Sequence, residues 1–284
     1  MKKWLAKICA AALAVVACFT CFAGCNKDDK NIKVMKDILL TEEDYAFAIA
    51  KENTELLTAV NACLAEWKED GSLDALINSY FDGNATFSYK NKTANPQSGD
   101  FVMATNAYFP PFEYIEGDSF KGVDVELASK LATAMGKNLF VYDMKFNSII
   151  SSVQTGESDI GMAGMTVTET RLQQVNFATP YYKSAQVISV LASDTTFDSC
   201  TTVADVENIL KTKDQNYKIG TQEATTGYMY SVGNVDFEFN GFPNLTTAAY
   251  TTGALAMKDL QNGKVNAVIL DLQPSLMIAN SMNG

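Results

Sequence analysis

Histidine is absent from this chain. Without an imidazole, no Ser-His-Asp triad, no Cys-His dyad and no His-ligated metal site can be assembled. Arginine is almost absent as well: of the 22 basic residues only Arg171 is an arginine. Lysine is enough for solvation, so a lone guanidinium marks a position where a planar, two-pronged donor is required. Basic charge is also scarce overall, with 33 acidic residues and a formal net charge of −11. That balance argues against nucleic acid as a partner, because phosphate binding needs a basic footprint. Charged residues make up only 19% of the 284 residues and apolar residues 47%, so a core can form and disorder is not the default.

Lys2, Lys3 and Lys7 precede an apolar run from Ile8 to Phe22. The run is shorter than the roughly 20 residues of a membrane span and reads as a secretory signal. It ends in Phe22-Ala23-Gly24-Cys25, followed by the polar Asn26-Lys27-Asp28-Asp29-Lys30. This resembles a bacterial lipoprotein signal: residues 1–24 would be the signal peptide, Cys25 the lipidated first residue of the mature chain, and 25–30 an anchor linker. Phe22 departs from the aliphatic residue that pattern prefers. Removal of the signal discards Cys9, Cys18 and Cys21, and of the rest only Cys63 and Cys200 stay unmodified, too few for a disulfide framework. Cys63 falls on the helical stripe Leu56, Leu57, Val60, Leu64, Trp67 and is expected to be a core thiol.

Residues 41–81 predict a strand from Tyr45 to Ala50 and helices over about 54–70 and 72–81, and 82–99, rich in Gly, Asn, Ser, Thr and Lys, predicts a linker. From Phe101 strands and helices alternate, which predicts an α/β fold. Strands are expected at 101–105, 139–142, 159–163, 185–191, 217–221 and 265–270. Helices are expected at 123–135, 148–155, 203–211, 226–232, 253–262 and 273–280. Residues 153–163 can be laid on 260–270 without a gap, each a helix end, a glycine and a buried strand, so that Gly164 corresponds to Asp271. Two similar lobes, each offering the carboxyl end of a strand, would make a cleft.

Thr168-Glu169-Thr170-Arg171 opens a helix, where the helix dipole disfavours a cation. The sole arginine there is either aimed at an anion or simply a surface residue. Ala224-Thr225-Thr226-Gly227 offers backbone N–H groups and two hydroxyls to a carboxylate, or only caps a helix. Asp271 ends an apolar strand, where it could pair an ammonium or cap the helix that follows. Phe109, in Tyr108-Phe109-Pro110-Pro111-Phe112, and Phe146 could form ligand walls or core. An anion clamp, a carboxylate and aromatic walls describe a site for an amino-acid zwitterion. No nucleophile–base pair or metal cluster accompanies them, so binding is expected rather than catalysis, with no cofactor.

Residues 101–191 resemble the family-3 extracellular solute-binding proteins, the polar amino-acid receptors of ABC importers. The motifs are Ala107-Tyr108-Phe109-Pro110-Pro111-Phe112-Glu113, Gly122-Val123-Asp124-Val125-Glu126-Leu127, Gly161 to Arg171, and Phe177-Ala178-Thr179-Pro180-Tyr181-Tyr182; residues 217–275 resemble the second lobe. The resemblance implies a two-lobed, hinged, type II periplasmic-binding-protein-like α/β fold. It implies that Arg171 clamps the ligand α-carboxylate with help from Thr225 and Thr226, and that Asp271 takes the α-ammonium with the Gly164 carbonyl and the Thr166 hydroxyl. Phe109 and Phe146 would sandwich the side chain. Asn106 stands where receptors for basic side chains or glutamine often carry Asp, which tells against a cationic ligand. The implied partners are a free amino acid and an importer's permease and ATPase, at the extracellular face of the cell membrane, or in the periplasm of a cell with an outer membrane. Two other functions fit the same resemblance: a cyclohexadienyl-dehydratase-like enzyme and an amino-acid sensor ectodomain.

Glu43 to Lys51, Leu57 to Trp67, Asp70 to Leu73 and Tyr80-Phe81 resemble the family's C-terminal segment, displaced here to the front of the chain. A circular permutation follows as the expectation. Lobe 1 would be 46–183, lobe 2 would be 184–284 plus 31–45, Gly284 would lie near Asn31, and 82–99 would join the usual termini. The alternative is that 31–81 is a remnant of an upstream copy.

Overall fold

The computed structural model describes residues 30–284; the expected signal segment and Cys25 lie outside them. In chain order, β1 (Ile32–Val34), β2 (Glu43–Tyr45) and β3 (Ala48–Ile49) precede helices α1 (Thr54–Glu69) and α2 (Ser72–Phe81). Next come β4 (Phe101–Thr105), β5 (Tyr108–Phe109), β6 (Glu113–Glu116), β7 (Ser119–Lys121), α3 (Val123–Ala134), β8 (Leu139–Asp143) and α4 (Ile149–Thr155). They are followed by β9 (Ile160–Gly161), α5 (Glu169–Leu172), β10 (Asn176–Phe177), β11 (Tyr182–Ser184) and β12 (Gln186–Leu191). The last run is α6 (Val203–Lys211), β13 (Lys218–Gln222), α7 (Thr226–Val232), β14 (Thr246–Tyr250), α8 (Gly253–Gln261), β15 (Ala267–Asp271) and α9 (Leu272–Asn283).

Two five-stranded sheets organise these elements. One runs β10-β3-β9-β4-β8 and the other β1-β12-β15-β13-β14. A two-stranded ribbon, β2 with β11, lies between them in sequence on both of its strands, Tyr45 opposite Tyr182 and Glu43 opposite Ser184. The chain therefore passes from one sheet to the other twice, at 43–48 and at 177–186. Each sheet mixes parallel pairs (β4 with β8 and β9; β13 with β14 and β15) with antiparallel strands at one side. The carboxyl ends of β4, β9, β13 and β15 face a common crevice, the place where open α/β sheets take ligands.

Residues 32–49 are woven into both sheets. Ile32 pairs with Leu191, and Ala48 pairs with both Gly161 and Phe177. At the other end of the chain, Asn283 Oδ1 accepts from Ile32 N at 2.8 Å and Asn283 Nδ2 donates to Ile32 O at 3.0 Å. Helix α1 is capped by Asn53, whose side chain accepts from Leu56 N, and buries Leu56, Val60 and Leu64. Gly71, at φ 77°, supplies the left-handed residue that turns α1 into α2. In α2 the stripe Leu73, Leu76, Ile77, Tyr80 completes the same core as Leu131 and Val125 of α3. A separate core of Ile188, Phe197, Val206, Leu210, Ile219 and Ile269 sits under the other sheet.

Local signals account for most boundaries. Thr202 and Asp205 form a reciprocal capping box at α6 and Thr252 caps α8, so both helices start where hydroxyl and apolar periodicity indicate. Gly156 and Gly263, both left-handed, close α4 and the α8 turn as the internal echo requires. Several expectations change. The strand expected at 45–50 divides into β2 and β3 around buried Ala46 and Phe47, because the chain changes sheets there. The strand expected at 159–163 contracts to Ile160–Gly161, since the following residues turn toward the crevice. The loop after β4 contains the three-stranded meander β5-β6-β7, and β10, β11 and β14 were not expected. Segment 82–99 has no regular element beyond a bridge from Tyr89 to Phe120, yet Phe87 and Tyr89 pack on the core, so it is not a free tether. Cys63 is half-buried at the core margin rather than inside it. Among the described residues no helix is long and apolar enough to cross a membrane.

Candidate functional site

The crevice between the two sheets narrows to a cavity of about 10 Å³. Every one of the nine ligand-binding residues read from the sequence lines it: Asn106, Phe109, Phe146, Gly164, Thr166, Arg171, Thr225, Thr226 and Asp271. Six of them arrive at the ends of parallel strands: Asn106 after β4, Gly164 and Thr166 after β9, Thr225 and Thr226 after β13, and Asp271 as the last residue of β15.

Arg171 is buried, not a surface residue. Thr168 caps α5 by accepting from Arg171 N at 3.2 Å, which fixes the backbone and sends the guanidinium inward. Nη1 donates to Thr166 O at 2.6 Å and Nη2 to Ala224 O at 3.0 Å, the second bond reaching across the crevice. The guanidinium carbon lies 5.4 Å from the centre of the Phe146 ring, a cation–π contact. Burial pulls the Arg171 pKa below its ordinary value, and the nearby charges of Glu43, Asp271 and Asp236 oppose that shift. The group is thus a desolvated cation held by neutral carbonyls, with three acids nearby.

Asp271 occupies the N-cap position of α9 but makes no side-chain cap bond. Its carboxylate instead accepts from Tyr45 Oη at 2.5 Å. Burial raises its pKa to about 7, and the Glu43 charge pushes the same way. Tyr45 in turn accepts from Ser184 Oγ at 3.1 Å, so the two strands of the crossing ribbon hold this carboxylate.

Thr225 caps α7: its Oγ1 accepts from Tyr228 N at 3.4 Å and donates to Gln222 O at 2.7 Å. Asn106 donates to Met144 O at 2.8 Å and accepts from Gln222 Nε2 at 3.1 Å, a second bond across the crevice. Gly164, at φ 51°, donates its N–H to Asp124 Oδ2 at 3.0 Å. An added Cβ there would stand 2.8 Å from the Phe109 ring, so the glycine lets the aromatic wall close on the strand end.

Sequence reasoning missed five residues of this neighbourhood. Glu43 accepts from the hydroxyls of both Thr166 and Thr226. Gln186 Nε2 donates to Thr226 Oγ1, and Tyr45 holds Asp271. Gln222 and buried Glu113 line the crevice. Burial raises the Glu113 pKa well above the ordinary carboxylate value, and the Asp124 charge adds to the shift. The available signal for Glu43 and Tyr45 was their alternation in a short strand, which puts both on one face. Outside the crevice, Asp236 Oδ1 accepts from Thr170 N and Thr170 Oγ1, both at 3.1 Å, tying α5 to the turn after α7. No group of three or more His, Cys, Asp or Glu among the described residues is arranged to hold a metal ion.

Residues 101–229 match the bacterial extracellular solute-binding proteins, family 3. The chain is 44% identical over 87 residues to the arginine-binding extracellular protein ArtP of Bacillus subtilis (strain 168), the match covering 31% of this chain and 34% of ArtP. It is 33% identical over 171 residues to the putative ABC transporter arginine-binding protein 2 of Escherichia coli (strain K12), covering 60% of this chain and 62% of that protein. These matches span less than two thirds of either relative. Among solved structures, the ancestral amino acid-binding protein AncCDT-1, a precursor of cyclohexadienyl dehydratase, superposes with a TM-score of 0.56 at 26% identity, covering 64% of this chain and 74% of that one. The arginine-bound form of truncated ArgBP from T. maritima gives 0.52 at 26% identity, covering 65% and 80%.

Proposed function

We propose that this chain, whose residues 101–229 match the bacterial extracellular solute-binding proteins of family 3, captures a free polar amino acid in the crevice and presents it to the permease of an ABC importer. The observation that carries this reading is the placement of buried Arg171 and buried Asp271 in one crevice. A zwitterion needs one fixed cation and one fixed anion at the two ends of its α-carbon, and no other ligand class uses both so economically. A carboxylate would replace the Ala224 carbonyl on the guanidinium, trading a neutral acceptor for a charge-assisted, two-pronged one. An ammonium beside Asp271 would hold that carboxylate ionised. Phe109 and Phe146 would flank the side chain.

Binding is coupled to motion by the position of these groups. Contacts from both lobes favour the closed arrangement, as in the hinge closure of periplasmic binding proteins. Lobe 1 is assigned to 46–183 and lobe 2 to 184–284 with 31–45, hinged at the β2–β11 ribbon. We read the chain order as a circular permutation of the family pattern, supported by β1 at the edge of one sheet, β3 inside the other and the Asn283–Ile32 bonds. Cys25 is assigned as a lipid anchor that keeps the receptor at the membrane.

Several relatives are arginine- or histidine-binding proteins. Glu43, Glu113 and Asp271 are buried around the Arg171 guanidinium, so an acidic side chain would add a further carboxylate to three already there, and a neutral or cationic one suits the region better. Thermal-shift screening of the purified protein against the twenty amino acids tests the reading: one or a few should raise the melting temperature in proportion to occupancy. No shift with any, or turnover of prephenate or arogenate, would replace the receptor with another function.

A further inference from the structure

The carboxylate of Glu43 collects hydrogen bonds from four segments of the chain at once. Its Oε2 accepts from Thr166 Oγ1 at 2.6 Å, from Thr226 Oγ1 at 2.8 Å and from Gln186 Nε2 at 3.4 Å, and its Oε1 accepts from Thr41 Oγ1 at 2.7 Å. Glu43 itself does not line the crevice; it stands behind the threonines, beside a separate cavity at the back of the β2–β11 ribbon lined by Leu39, Thr41, Ser184 and Leu272.

A threonine hydroxyl has one hydrogen and two lone pairs, and a carboxylate oxygen only accepts. The hydrogens of Thr166 and Thr226 are therefore both turned toward Glu43. What the two hydroxyls offer the crevice is lone pairs. Thr226 Oγ1 spends one of its two on Gln186 Nε2, at 3.0 Å, and Thr166 Oγ1 has both. The third hydroxyl of the wall, on Thr225, also sends its hydrogen away, to Gln222 O. A ligand carboxylate has only lone pairs to present and would find no hydroxyl donor here, whereas an ammonium has three hydrogens and needs acceptors.

We propose that Glu43 is a positioning residue that orients the Thr166 and Thr226 hydroxyls as acceptors, making this wall, with Asp271, the receptor for the ligand's α-ammonium and leaving the α-carboxylate to Arg171. This rests on the amino-acid reading above and changes one part of it: Thr226 serves the ammonium and not the carboxylate.

The test compares the affinity for an α-amino acid with that for the same molecule lacking the α-amino group. Calorimetry on the full protein uses the amino acid returned by the screen, with pairs such as L-arginine and 5-guanidinopentanoate, L-glutamine and 5-amino-5-oxopentanoate, or L-histidine and 3-(imidazol-4-yl)propanoate. Glu43→Met frees both hydroxyls to rotate, and should lower the preference for the amino-bearing partner at least about tenfold while the des-amino affinity holds or improves. In a Thr166→Val, Thr226→Val background the same Glu43→Met change should shift the preference no further. Should Glu43→Met fail to fold, the Thr166→Val, Thr226→Val protein alone must show the tenfold loss of preference. A preference unchanged within twofold, or one that still falls by Glu43→Met when both threonines are valine, overturns the inference and leaves the receptor reading intact. A wild-type protein that binds no amino acid removes both.

Discussion

Asn283 grips the backbone of Ile32, 251 residues away, through both ends of its amide: Oδ1 accepts from the Ile32 N–H and Nδ2 donates to the Ile32 carbonyl. If the chain order is a permutation, this contact marks where the ancestral order ran straight through. A chain opened after Gly83, with Gly284 joined to Asn31, should then fold with a melting temperature within about 5 °C of the parent, a shift worth roughly 1–3 kcal/mol, and bind the same amino acid. Tolerance follows from termini that lie close together and loops that are exposed. Loss of folding or of ligand binding in the rejoined chain would count against the permutation.

Arg171 is a desolvated cation whose neighbours are carbonyls. Arg171→Ala should weaken amino-acid binding by about 2–5 kcal/mol, the usual cost of removing one partner of a buried charge pair. Arg171→Met should do the same to binding and also lower the melting temperature of the unliganded protein, because the Thr166 and Ala224 carbonyls lose their donor and Glu43, Asp271 and Asp236 lose a nearby cation. Calorimetry for affinity and thermal melts without ligand separate the two effects; affinity unchanged by either substitution would take Arg171 out of the site.

The Asp271 carboxyl titrates near pH 7, raised by burial and then by Glu43. A carboxyl raised in the folded state binds its proton more tightly there than in the unfolded chain. Its contribution to stability is present below the unfolded value of about 4 and is lost as pH rises through about 7. Melting temperatures of the wild type should therefore decline between pH 4 and pH 8 more than those of Asp271→Asn. Binding has the opposite sign: below pH 7 an ammonium must expel the proton, so affinity should rise by up to about tenfold per unit from pH 5 to pH 7 and then level. Calorimetry in buffers of different ionisation enthalpy should detect close to one proton released at pH 6 and almost none at pH 8.5.

Asp236 ties the turn after α7 to the N-terminus of α5 through two bonds to Thr170, away from the crevice. Asp236→Ala should shift the unliganded protein toward a more open form, seen as an increase in radius of gyration by small-angle scattering, and weaken ligand binding severalfold by lowering the competent fraction. The liganded protein should keep its compact dimensions. Scattering curves that coincide for the two proteins without ligand would show that this contact does not hold the lobes.

Lipidation at Cys25 predicts that the exported chain partitions into the detergent phase of Triton X-114 and incorporates labelled fatty acid. Cys25→Ser should move it to the aqueous phase and abolish labelling without altering amino-acid affinity. Aqueous partition of the unsubstituted exported chain would exclude the anchor.

Much of the architecture was legible because single residues mark its joints. Helices 203–211 and 226–232 have the expected limits because Thr202 and Thr225 cap them, and 72–81 because Gly71 turns the chain. Short strands defeated the same reasoning. The meander over 108–121 holds strands of two to four residues, too brief for alternation to register. All nine residues line one crevice, and six of them, Asn106, Gly164, Thr166, Thr225, Thr226 and Asp271, follow or end a strand, a position that element order predicts. Glu43 was not legible as a site residue, since Thr41-Glu42-Glu43-Asp44 looks like a solvated acidic turn and its partners lie at Thr166 and Thr226. Only three-dimensional closure brings the carboxylate under them.

The position of β1, β2 and β3 ahead of every strand they pair with has a consequence during translation. Ala48 waits for Gly161, and Ile32 for Leu191. At about 5–20 residues per second a ribosome needs on the order of ten seconds to supply those partners. Through that interval the nascent segment carries Tyr45, Phe47 and Ile49, all destined for full burial, with nothing to bury them against. Pairings this distant along the chain also slow collapse after release. The chain should therefore depend on holdase chaperones for residues 32–49 more than one in which the same strands are made last.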